Sequence, residues 1–275
     1  MSTPIAVTIA GSDSSGGAGI QADLKTFSAL GVYGASVITA LTAQNTQGVH
    51  GIFDVPPDFI AAQIDAVFSD LPANPVFAAP PPQAVKIGML SNTQTIEAVV
   101  AGIDRHAIVH MVLDPVMVAT SGDQLLQAEA VEVMVRLLFP RASVITPNLV
   151  EASVLLGRPV ADTENAMRAQ AERLMLFGAK AVLIKGGHGT GPESTDLLIE
   201  QDTVTQLRGR RIDTRNTHGT GCTLSAAIAA GLAKGLGLAE AAQEAKDYLN
   251  GAIAAADRLE VGQGHGPVHH FHRWW

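Results

Sequence analysis

Short apolar runs alternate with helix-like stretches along most of the 275-residue chain. This alternation constrains the fold most, because it is typical of βαβ units around a parallel sheet. Strands covered on both faces are nearly continuous apolar runs. The predicted strands are Ile5–Ala10, Ala35–Leu41, Ala84–Met89, Met111–Leu113, Ala142–Ile145 and Ala181–Ile184. The predicted helices are Gly19–Leu30, Pro57–Leu71, Asn92–His106, Ala128–Phe139, Asn148–Leu156 and Thr163–Phe177.

Two pairs of segments interrupt this alternation and predict hairpins. Ser36–Ala43 and Val49–Val55 lie close together in the chain, and Thr195–Glu200 and Val204–Arg208 flank a short polar turn. Antiparallel strands are common at the edge of a mostly parallel sheet. The sequence therefore predicts an α/β fold with antiparallel edge strands.

The proline-rich stretch Pro72–Pro82 predicts a surface loop. The βαβ pattern resumes directly after it, so we predict a single domain over residues 1–275. Hydrophobic residues make up 47% of the chain and charged residues 16%, a composition that excludes a disordered chain.

Cysteine content and charge exclude several classes of protein. One cysteine rules out a disulfide framework and a multi-cysteine zinc site, and it favours a reducing, cytoplasmic compartment. A net charge of −8 argues against a general nucleic-acid or membrane-surface binder. No run reaches the ~18 uncharged residues of a membrane span. The composition suits an enzyme with parallel strands under helices.

A glycine-rich loop, Gly11–Gly19, follows the first predicted strand. Within it, Gly17–Ala22 loosely matches the G-x-G-x-x-A dinucleotide fingerprint. The match is weak, because the fingerprint should follow the strand at once and be followed by an acidic residue ~20 positions later. A flexible loop before a helix and an NAD-binding oxidoreductase both remain open.

A second glycine-rich segment, Asn216–Leu224, leads into an alanine-rich helix. Gly219 and Gly221 free the backbone, and N–H groups at a helix start bind anions such as a transferred phosphoryl group. Cys222 lies in the first turn, where the helix dipole predicts a lowered thiol pKa. A buried structural cysteine and a thiol hydrolase that uses His218 as its base are the alternatives.

Two acidic residues follow predicted strands. Asp114 comes directly after Met111–Leu113, and Glu151 lies one turn into the predicted helix Asn148–Leu156. Each alone is explained as a turn residue or a partner of the helix dipole, but together they favour Mg²⁺. Lys185 ends a buried strand before two glycines, which suits phosphate contact, although a snorkelling lysine is the commoner outcome there.

The C-terminal segment Gly264–Trp275 contains four histidines in no zinc-binding pattern, and it predicts a packed or partner-facing tail. It also completes a set of motifs spread over essentially the whole chain. These are T-I-A-G-S-D, S-V-I-T-A-L-T-A-Q-N-T, K-I-G-M-L, L-D-P-V-M, T-P-N-L, K-G-G-H, N-T-H-G-T-G-C-T-L-S and G-P-V-H-H-F-H. Together they resemble the hydroxymethylpyrimidine/phosphomethylpyrimidine kinases of the ribokinase-like superfamily.

The resemblance implies a ribokinase-like three-layer αβα sandwich and a kinase that uses ATP and Mg²⁺. It implies phosphorylation of 4-amino-5-hydroxymethyl-2-methylpyrimidine to its monophosphate and then to its diphosphate, for thiamin biosynthesis. It also implies a homodimer. Vitamin B6 kinase activity on pyridoxine or pyridoxal is the nearest alternative.

The resemblance also implies roles for individual residues. Gln44 would bind the pyrimidine, and the residues around the ring would be Ala18, Asp23, Met89 and Val116. The anion hole would consist of Gly219, Thr220, Gly221 and Cys222. The metal and phosphates would be held by Asp114 and Glu151. The nucleotide would lie along Asn148, Lys185, Thr217 and His218.

One position departs from the wider superfamily. Sugar kinases of the ribokinase type carry an aspartate base where this chain has Cys222. The identity of a general base, and the need for one, therefore stay open.

Overall fold

The computed structural model describes residues 3–71, 84–118, 122–123, 125–187, 193–201 and 203–275. The predicted Pro72–Pro82 loop and His188 of the K-G-G-H motif lie outside these ranges. The strands are β1 (Ile5–Asp13), β2 (Tyr33–Asn45), β3 (Gly48–Asp54), β4 (Ala84–Ile87), β5 (His110–Leu113), β6 (Val144–Ile145), β7 (Ala181–Ile184), β8 (Glu193–Glu200) and β9 (Thr203–Arg210). The α-helices are α1 (Gly19–Ala29), α2 (Pro57–Asp70), α3 (Thr93–Arg105), α4 (Ala128–Leu138), α5 (Leu149–Leu156), α6 (Glu164–Met175), α7 (Thr220–Ala233) and α8 (Leu238–Ala254).

Among the described residues, the strands form one sheet in the order β3-β2-β1-β4-β5-β6-β7-β8-β9. The neighbouring strands β2, β1, β4, β5, β6 and β7 pair in parallel. Strands β3, β8 and β9 pair antiparallel to their neighbours at the two edges. The predicted strands, both predicted hairpins and the mostly parallel sheet are confirmed.

Helices cover both faces of the sheet. Buried side chains of α2 to α6 form one core cluster with the strands, and those of α1, α7 and α8 form a second cluster on the opposite face. Alternate residues of one strand reach opposite clusters, as Val85 and Ala84 of β4 do. The three-layer αβα sandwich is therefore confirmed.

Helix α7 lies over the middle of the sheet, where it contacts β1, β4 and β5 and packs against α1 and α8. Its small side chains permit this close approach. A methyl group added at Gly231 would lie 2.7 Å from the Cβ of Ala241 in α8. The alanine-rich composition of α7 thus places the glycine-rich segment before it at the centre of the sheet edge.

Two elements differ from the predicted ones. Strand β1 continues to Asp13 past a bulge, because Ser12 and Asp13 pair with Leu41 and Thr42 of β2. Helix α8 was not predicted from the sequence. None of the described helices is both long enough and apolar enough to cross a membrane.

Candidate active site

The carboxyl ends of the parallel strands bring together side chains that are far apart in the chain, as expected for an open α/β sheet. Asp114 follows β5, Lys185 follows β7 and Glu151 lies in the first turn of α5. The Lys185 Nζ lies 2.7 Å from Asp114 Oδ1 and 3.8 Å from Glu151 Oε2. The snorkelling interpretation of Lys185 was wrong, because these two carboxylates hold its ammonium group in the site.

Burial and charge pairing act against each other in this cluster. Burial alone would raise the pKa of Asp114, but the ammonium groups of Lys185 and Lys86 hold it below its ordinary value. Burial raises the pKa of Glu151 to about 7; Lys185 opposes the shift and the Asp114 charge adds to it. Asp114 is therefore ionised at neutral pH, whereas burial and the Asp114 charge both favour the protonated form of Glu151.

Glu151 also caps α5. Its Oε2 accepts the Asn148 N–H at 2.7 Å, while Asn148 Oδ1 accepts the Glu151 N–H at 2.9 Å. This reciprocal pair is a capping box, which satisfies two N–H groups that the helix leaves free. The same interaction fixes Glu151 next to Lys185.

The donors present at this cluster fit Mg²⁺. Hard cations prefer carboxylate oxygens, and Mg²⁺ is usually held by one or two carboxylates together with substrate phosphates. Asp114 and Glu151 supply two such groups within reach of one ammonium group. The described residues contain no group of three or more His, Cys, Asp or Glu side chains that could hold a metal ion. A cation here would therefore need further ligands from phosphates or water.

The start of α7 lies beside this cluster. Gly219 has φ of +81°, and a methyl group there would lie 1.9 Å from the Gly17 carbonyl oxygen. A methyl group at Gly221 would lie 3.2 Å from Lys185 Nζ. Only glycine allows this contact between the two loops at position 219. The free N–H groups of the first turn therefore lie next to a lysine, which favours an anion.

Cys222 is half-buried in that first turn. Burial raises the pKa of its thiol to about 11; Lys86 opposes this shift, while Asp23 and Asp114 add to it. The predicted lowering of this pKa was wrong, because loss of solvent raises it. At neutral pH the side chain is an uncharged thiol.

Gln44, at the end of β2, lies near a hydrogen-bonded pair. His218 Nε2 is 2.8 Å from Asp13 Oδ2 and 3.5 Å from Gln44 Nε2. His218 was expected along the nucleotide, and the structure places it against Gln44 and the loop after β1. Thr42 Oγ1 lies 3.1 Å from Gln44 Oε1 on the other side of the amide.

Asp13 was missed by the sequence analysis. Its Oδ2 accepts the N–H groups of Gly17 at 3.1 Å and Ala18 at 2.8 Å, so it shapes the whole glycine-rich loop. Burial opposes ionisation, yet hydrogen bonds from His218 and Ser15 hold the pKa of Asp13 well below its usual range. The available signal was an acid at a strand end, the same signal that selected Asp114.

The residues predicted around the ring differ in their surroundings. Ala18 precedes the first residue of α1, Val116 is half-buried, and Met89 is buried with its carbonyl accepting the Thr39 hydroxyl at 2.8 Å. Asp23 is fully buried between α1 and the sheet. Contact of these four side chains with a ring remains a prediction.

Of the residues predicted along the nucleotide, Asn148 lies beside Lys185 and Thr217 lies shortly before the start of α7. The Lys185 N–H donates to the Pro147 carbonyl at 2.9 Å, which fixes Asn148 beside the end of β7. The Thr217 carbonyl accepts the N–H of Thr220 at 3.3 Å, directly before α7. Both residues border the glycine-rich start of α7 or the lysine beside it.

The C-terminal tail packs behind the start of α7, which confirms the predicted packed tail. The Thr223 hydroxyl donates to the Gly219 carbonyl at 2.8 Å and lies 3.1 Å from His270 Nε2. The hydroxyl has one proton, so the ring nitrogen is the donor toward Thr223. The His218 N–H also donates to the Gly266 carbonyl at 3.0 Å. The tail thus supports the glycine-rich segment from behind.

We expect His270 to make the fold sensitive to acid. Burial, aided by the charge of Lys25, lowers the pKa of His270 from 6.5 to about 3. The unfolded chain therefore binds the proton more strongly than the folded one. The contribution of neutral His270 to the free energy of unfolding is fully present above about pH 6.5 and is lost as the pH falls toward about 3. The expected slope is about 1.4 kcal/mol per pH unit between pH 6 and 4.

The measurement is the free energy of unfolding in urea at several pH values. His270→Gln keeps an N–H donor but does not titrate in this range. Its free energy of unfolding should therefore depend less steeply on pH, by about 1.4 kcal/mol per pH unit. His265→Gln, at an exposed histidine of the same tail, is the control and should keep it. Equal slopes in His270→Gln and the unmutated protein would contradict the prediction.

Comparison with known proteins gives a consistent result. Residues 13–269 match the family described as phosphomethylpyrimidine kinase. The chain is 61% identical over 273 residues to the hydroxymethylpyrimidine/phosphomethylpyrimidine kinase of Rhizobium meliloti (strain 1021), with 99% of each chain covered.

Two solved structures extend this similarity to the fold. The phosphomethylpyrimidine kinase from Clostridium difficile 630 is 43% identical with a TM-score of 0.76, over 90% of this chain and 99% of that chain. An ADP complex of Bacillus subtilis pyridoxal kinase is 37% identical with a TM-score of 0.84, over 98% of each chain.

The sandwich, the glycine-rich start of α7 and the lysine held by two carboxylates define a phosphotransferase with the ribokinase-like fold. The chain belongs to the phosphomethylpyrimidine kinase family. This membership overturns the alternatives of an NAD-binding oxidoreductase and a thiol hydrolase. The G-x-G-x-x-A match corresponds to the loop and first turn of α1.

Proposed function

We propose that this chain transfers the γ-phosphoryl group of ATP to 4-amino-5-hydroxymethyl-2-methylpyrimidine and then to the monophosphate formed, in the thiamin pathway. The observation that carries the proposal is Lys185, held by Asp114 and Glu151 beside the glycine-rich start of α7. A lysine, helix N–H groups and carboxylates for Mg²⁺ are the parts that phosphoryl transfer needs. The family relatives support the substrate.

The chain's own residues would act by position and charge. The N–H groups of Gly221 and Cys222 and the Lys185 ammonium would receive the phosphoryl group, where they stabilise charge that develops during transfer. Mg²⁺, bound with ATP at Asp114 and Glu151, would neutralise phosphate charge. Gln44 would hold the ring near the loop that Asp13 shapes.

Vitamin B6 kinase activity is the second candidate. The specific observation in its favour is the similarity to the B. subtilis pyridoxal kinase, which covers nearly the whole of both chains. That structure is an ADP complex, which supports ATP as the phosphoryl donor in either case.

Incubation with ATP, Mg²⁺ and a panel of alcohols, followed by mass spectrometry, tests the proposed function. The panel contains the aminopyrimidine alcohol, its monophosphate, pyridoxine and pyridoxal. We expect the pyrimidine monophosphate and diphosphate as the main products, each requiring ATP. Products from the pyridine alcohols alone would establish the second candidate instead.

Gln44→Ala should weaken use of the pyrimidine. The amide carries both a donor and an acceptor, so it can pair with the mixed edge of an aminopyrimidine. Its removal leaves polar ring atoms unpaired, which costs about 1–3 kcal/mol, or roughly 5- to 150-fold in kcat/KM. Steady-state kinetics with the alcohol measure the loss.

Gln63→Ala is the control for Gln44→Ala, because Gln63 of α2 binds the backbone of Ile38 rather than the site. Its kcat/KM should change little. A Gln44→Ala enzyme with unchanged kcat/KM for the pyrimidine would remove Gln44 from the substrate site.

We also propose a homodimer in the cytoplasm. The edge strand β3 supports an interface between copies, because Ile52 and Phe53 expose large apolar surfaces there. The single cysteine supports a reducing compartment. Light scattering of the purified protein measures the oligomeric state.

A further inference from the structure

Lys86 is a buried charge that the proposed function does not use. It lies in the middle of β4, at the centre of the sheet, and its side chain has no exposed surface. Its Nζ is 2.8 Å from Asp23 Oδ2, and the Thr8 hydroxyl donates to the same oxygen at 2.6 Å. A charged residue in an otherwise apolar strand was the available sequence signal.

This ion pair is not arranged for stability alone. Asp23 Oδ1 is buried and has no hydrogen-bond partner among the described residues. An unpaired buried oxygen is costly, and apolar side chains of similar volume often replace a buried ion pair without loss of stability. The cluster therefore needs an explanation other than folding.

The position of Lys86 supplies that explanation. Lys86 lies on the same face of β4 as Ala84, which packs in the cluster that includes Leu224 of α7. A methyl group at Gly88 would lie 2.8 Å from Lys86 Nζ, so the ammonium group reaches the carboxyl end of the strand. Helix α7 packs directly on β4, and the Lys86 charge lowers the pKa of both the Cys222 thiol and Asp114.

We propose that Lys86 is a positioning residue of phosphoryl transfer, which places a buried positive charge behind the first turn of α7 and thereby favours phosphate at its glycine-rich start. The inference rests on the proposed function for the identity of the reaction. Lys86 touches no substrate in this arrangement. Asp23 and Thr8 hold its ammonium group in place. The Asp23 carboxylate offsets part of the Lys86 charge at Cys222, where Lys86 lowers the thiol pKa more than Asp23 raises it, so the ion pair acts on the first turn of α7 through its ammonium end.

Two variants separate charge from hydrogen bonding. Lys86→Met removes the charge and the donor, whereas Lys86→Gln removes the charge and keeps an N–H donor for Asp23. We expect both to lower kcat about 10- to 100-fold, as is common when a group behind the direct contacts is removed. The KM for the pyrimidine should change less than about threefold, because the loss affects the transition state and not the binding of the ground state.

Cys222 gives a second readout that does not depend on activity. It is the chain's one cysteine, so alkylation by iodoacetamide occurs at this thiol alone, and at equal solvent access its rate follows the thiolate fraction. At pH 8.5 both variants should be alkylated about tenfold more slowly, the change that one pKa unit gives. The measurement remains valid if the reaction catalysed differs from the proposed one.

Lys246→Met is the matched control. Lys246 forms another buried pair, 2.8 Å from Asp196, but it joins α8 to β8. Strand β8 is four strands from β4, roughly 19 Å across the sheet. Lys246→Met should therefore remove a buried lysine and leave alkylation of Cys222 at the rate of the unmutated protein.

Slower alkylation and lower kcat in Lys86→Gln, with folding confirmed by circular dichroism, support the role of the charge. Lys86→Gln with the kcat or the alkylation rate of the unmutated protein would overturn it, even if Lys86→Met fails to fold. An unmutated protein that phosphorylates none of the alcohols would refute the proposed function, while alkylation would still test the charge.

Discussion

Asp114→Asn is expected to lower kcat/KM for the first transfer about 100- to 1,000-fold, the range seen when one preorganised electrostatic contact is lost. Asp114 Oδ1 holds Lys185 at 2.7 Å, and the Ser225 hydroxyl lies 3.3 Å from Oδ2. The substitution keeps the shape of the side chain but removes its charge. Both the proposed Mg²⁺ ligand and the partner that orients Lys185 are lost together.

The measurement is steady-state kinetics over a range of Mg²⁺ concentrations. Asp114→Asn should raise the Mg²⁺ concentration that gives half-maximal activity. Asp104→Asn is the control, because Asp104 is an exposed carboxylate that pairs with Arg141 of the neighbouring turn. It should leave both kcat/KM and the Mg²⁺ response intact. If the kcat/KM of Asp114→Asn stays within about threefold of that of the unmutated enzyme, Asp114 has only a structural role.

Cys222→Asp is expected to separate the two proposed transfers. The first acceptor is an alcohol, and a carboxylate at this position could accept its proton. The second acceptor is a phosphate whose second pKa is ~6, so it is already ionised. A carboxylate ~4 Å from that phosphate repels it by ~4 kcal/mol at an effective dielectric constant of ~20, before screening.

The uncharged thiol avoids that repulsion, because burial raises the pKa of Cys222 to about 11. Cys222→Asp should therefore retain the first transfer and slow the second by roughly 100-fold or more. Cys222→Asn has the same shape without the charge, and Cys222→Ser is close to the natural size. Both neutral variants should keep the ratio of the two rates.

The two rates are measured separately, from the alcohol and from the monophosphate. Equal slowing of both steps by Cys222→Asp would show that charge at this position does not select the acceptor. In that case a role in shaping the first turn of α7 would explain the residue better.

Much of this outcome was present in local sequence. Apolar runs such as Ala181–Ile184 predicted strands covered on both faces, and their order predicted a parallel sheet with antiparallel edges. Because ligands bind beyond the carboxyl ends of such strands, residues just after them, such as Asp114 and Lys185, were sound candidates. Glycines before α7 predicted an anion site because only they permit that backbone.

Several site properties depended on the tertiary structure. The partner of Asp13 is His218, 205 positions away in the chain, and no local pattern links the two. Helix α8 was not predicted from the sequence, although it packs against α7 in the folded chain. Lys185 had an apolar strand before it, and only the folded chain shows the carboxylates that hold its ammonium group.

The sequence by itself determined the strand and helix order, the glycine-dependent start of α7 and the family, because these follow from periodicity, backbone freedom and motif order. Only the tertiary structure decided which charges meet and what their pKa values become. Burial raises the pKa of Cys222, where its place in the chain had predicted lowering, and pairs Lys86 with Asp23. Solvent exposure and Coulomb interactions depend on distances in space, which neighbouring residues in the sequence do not set.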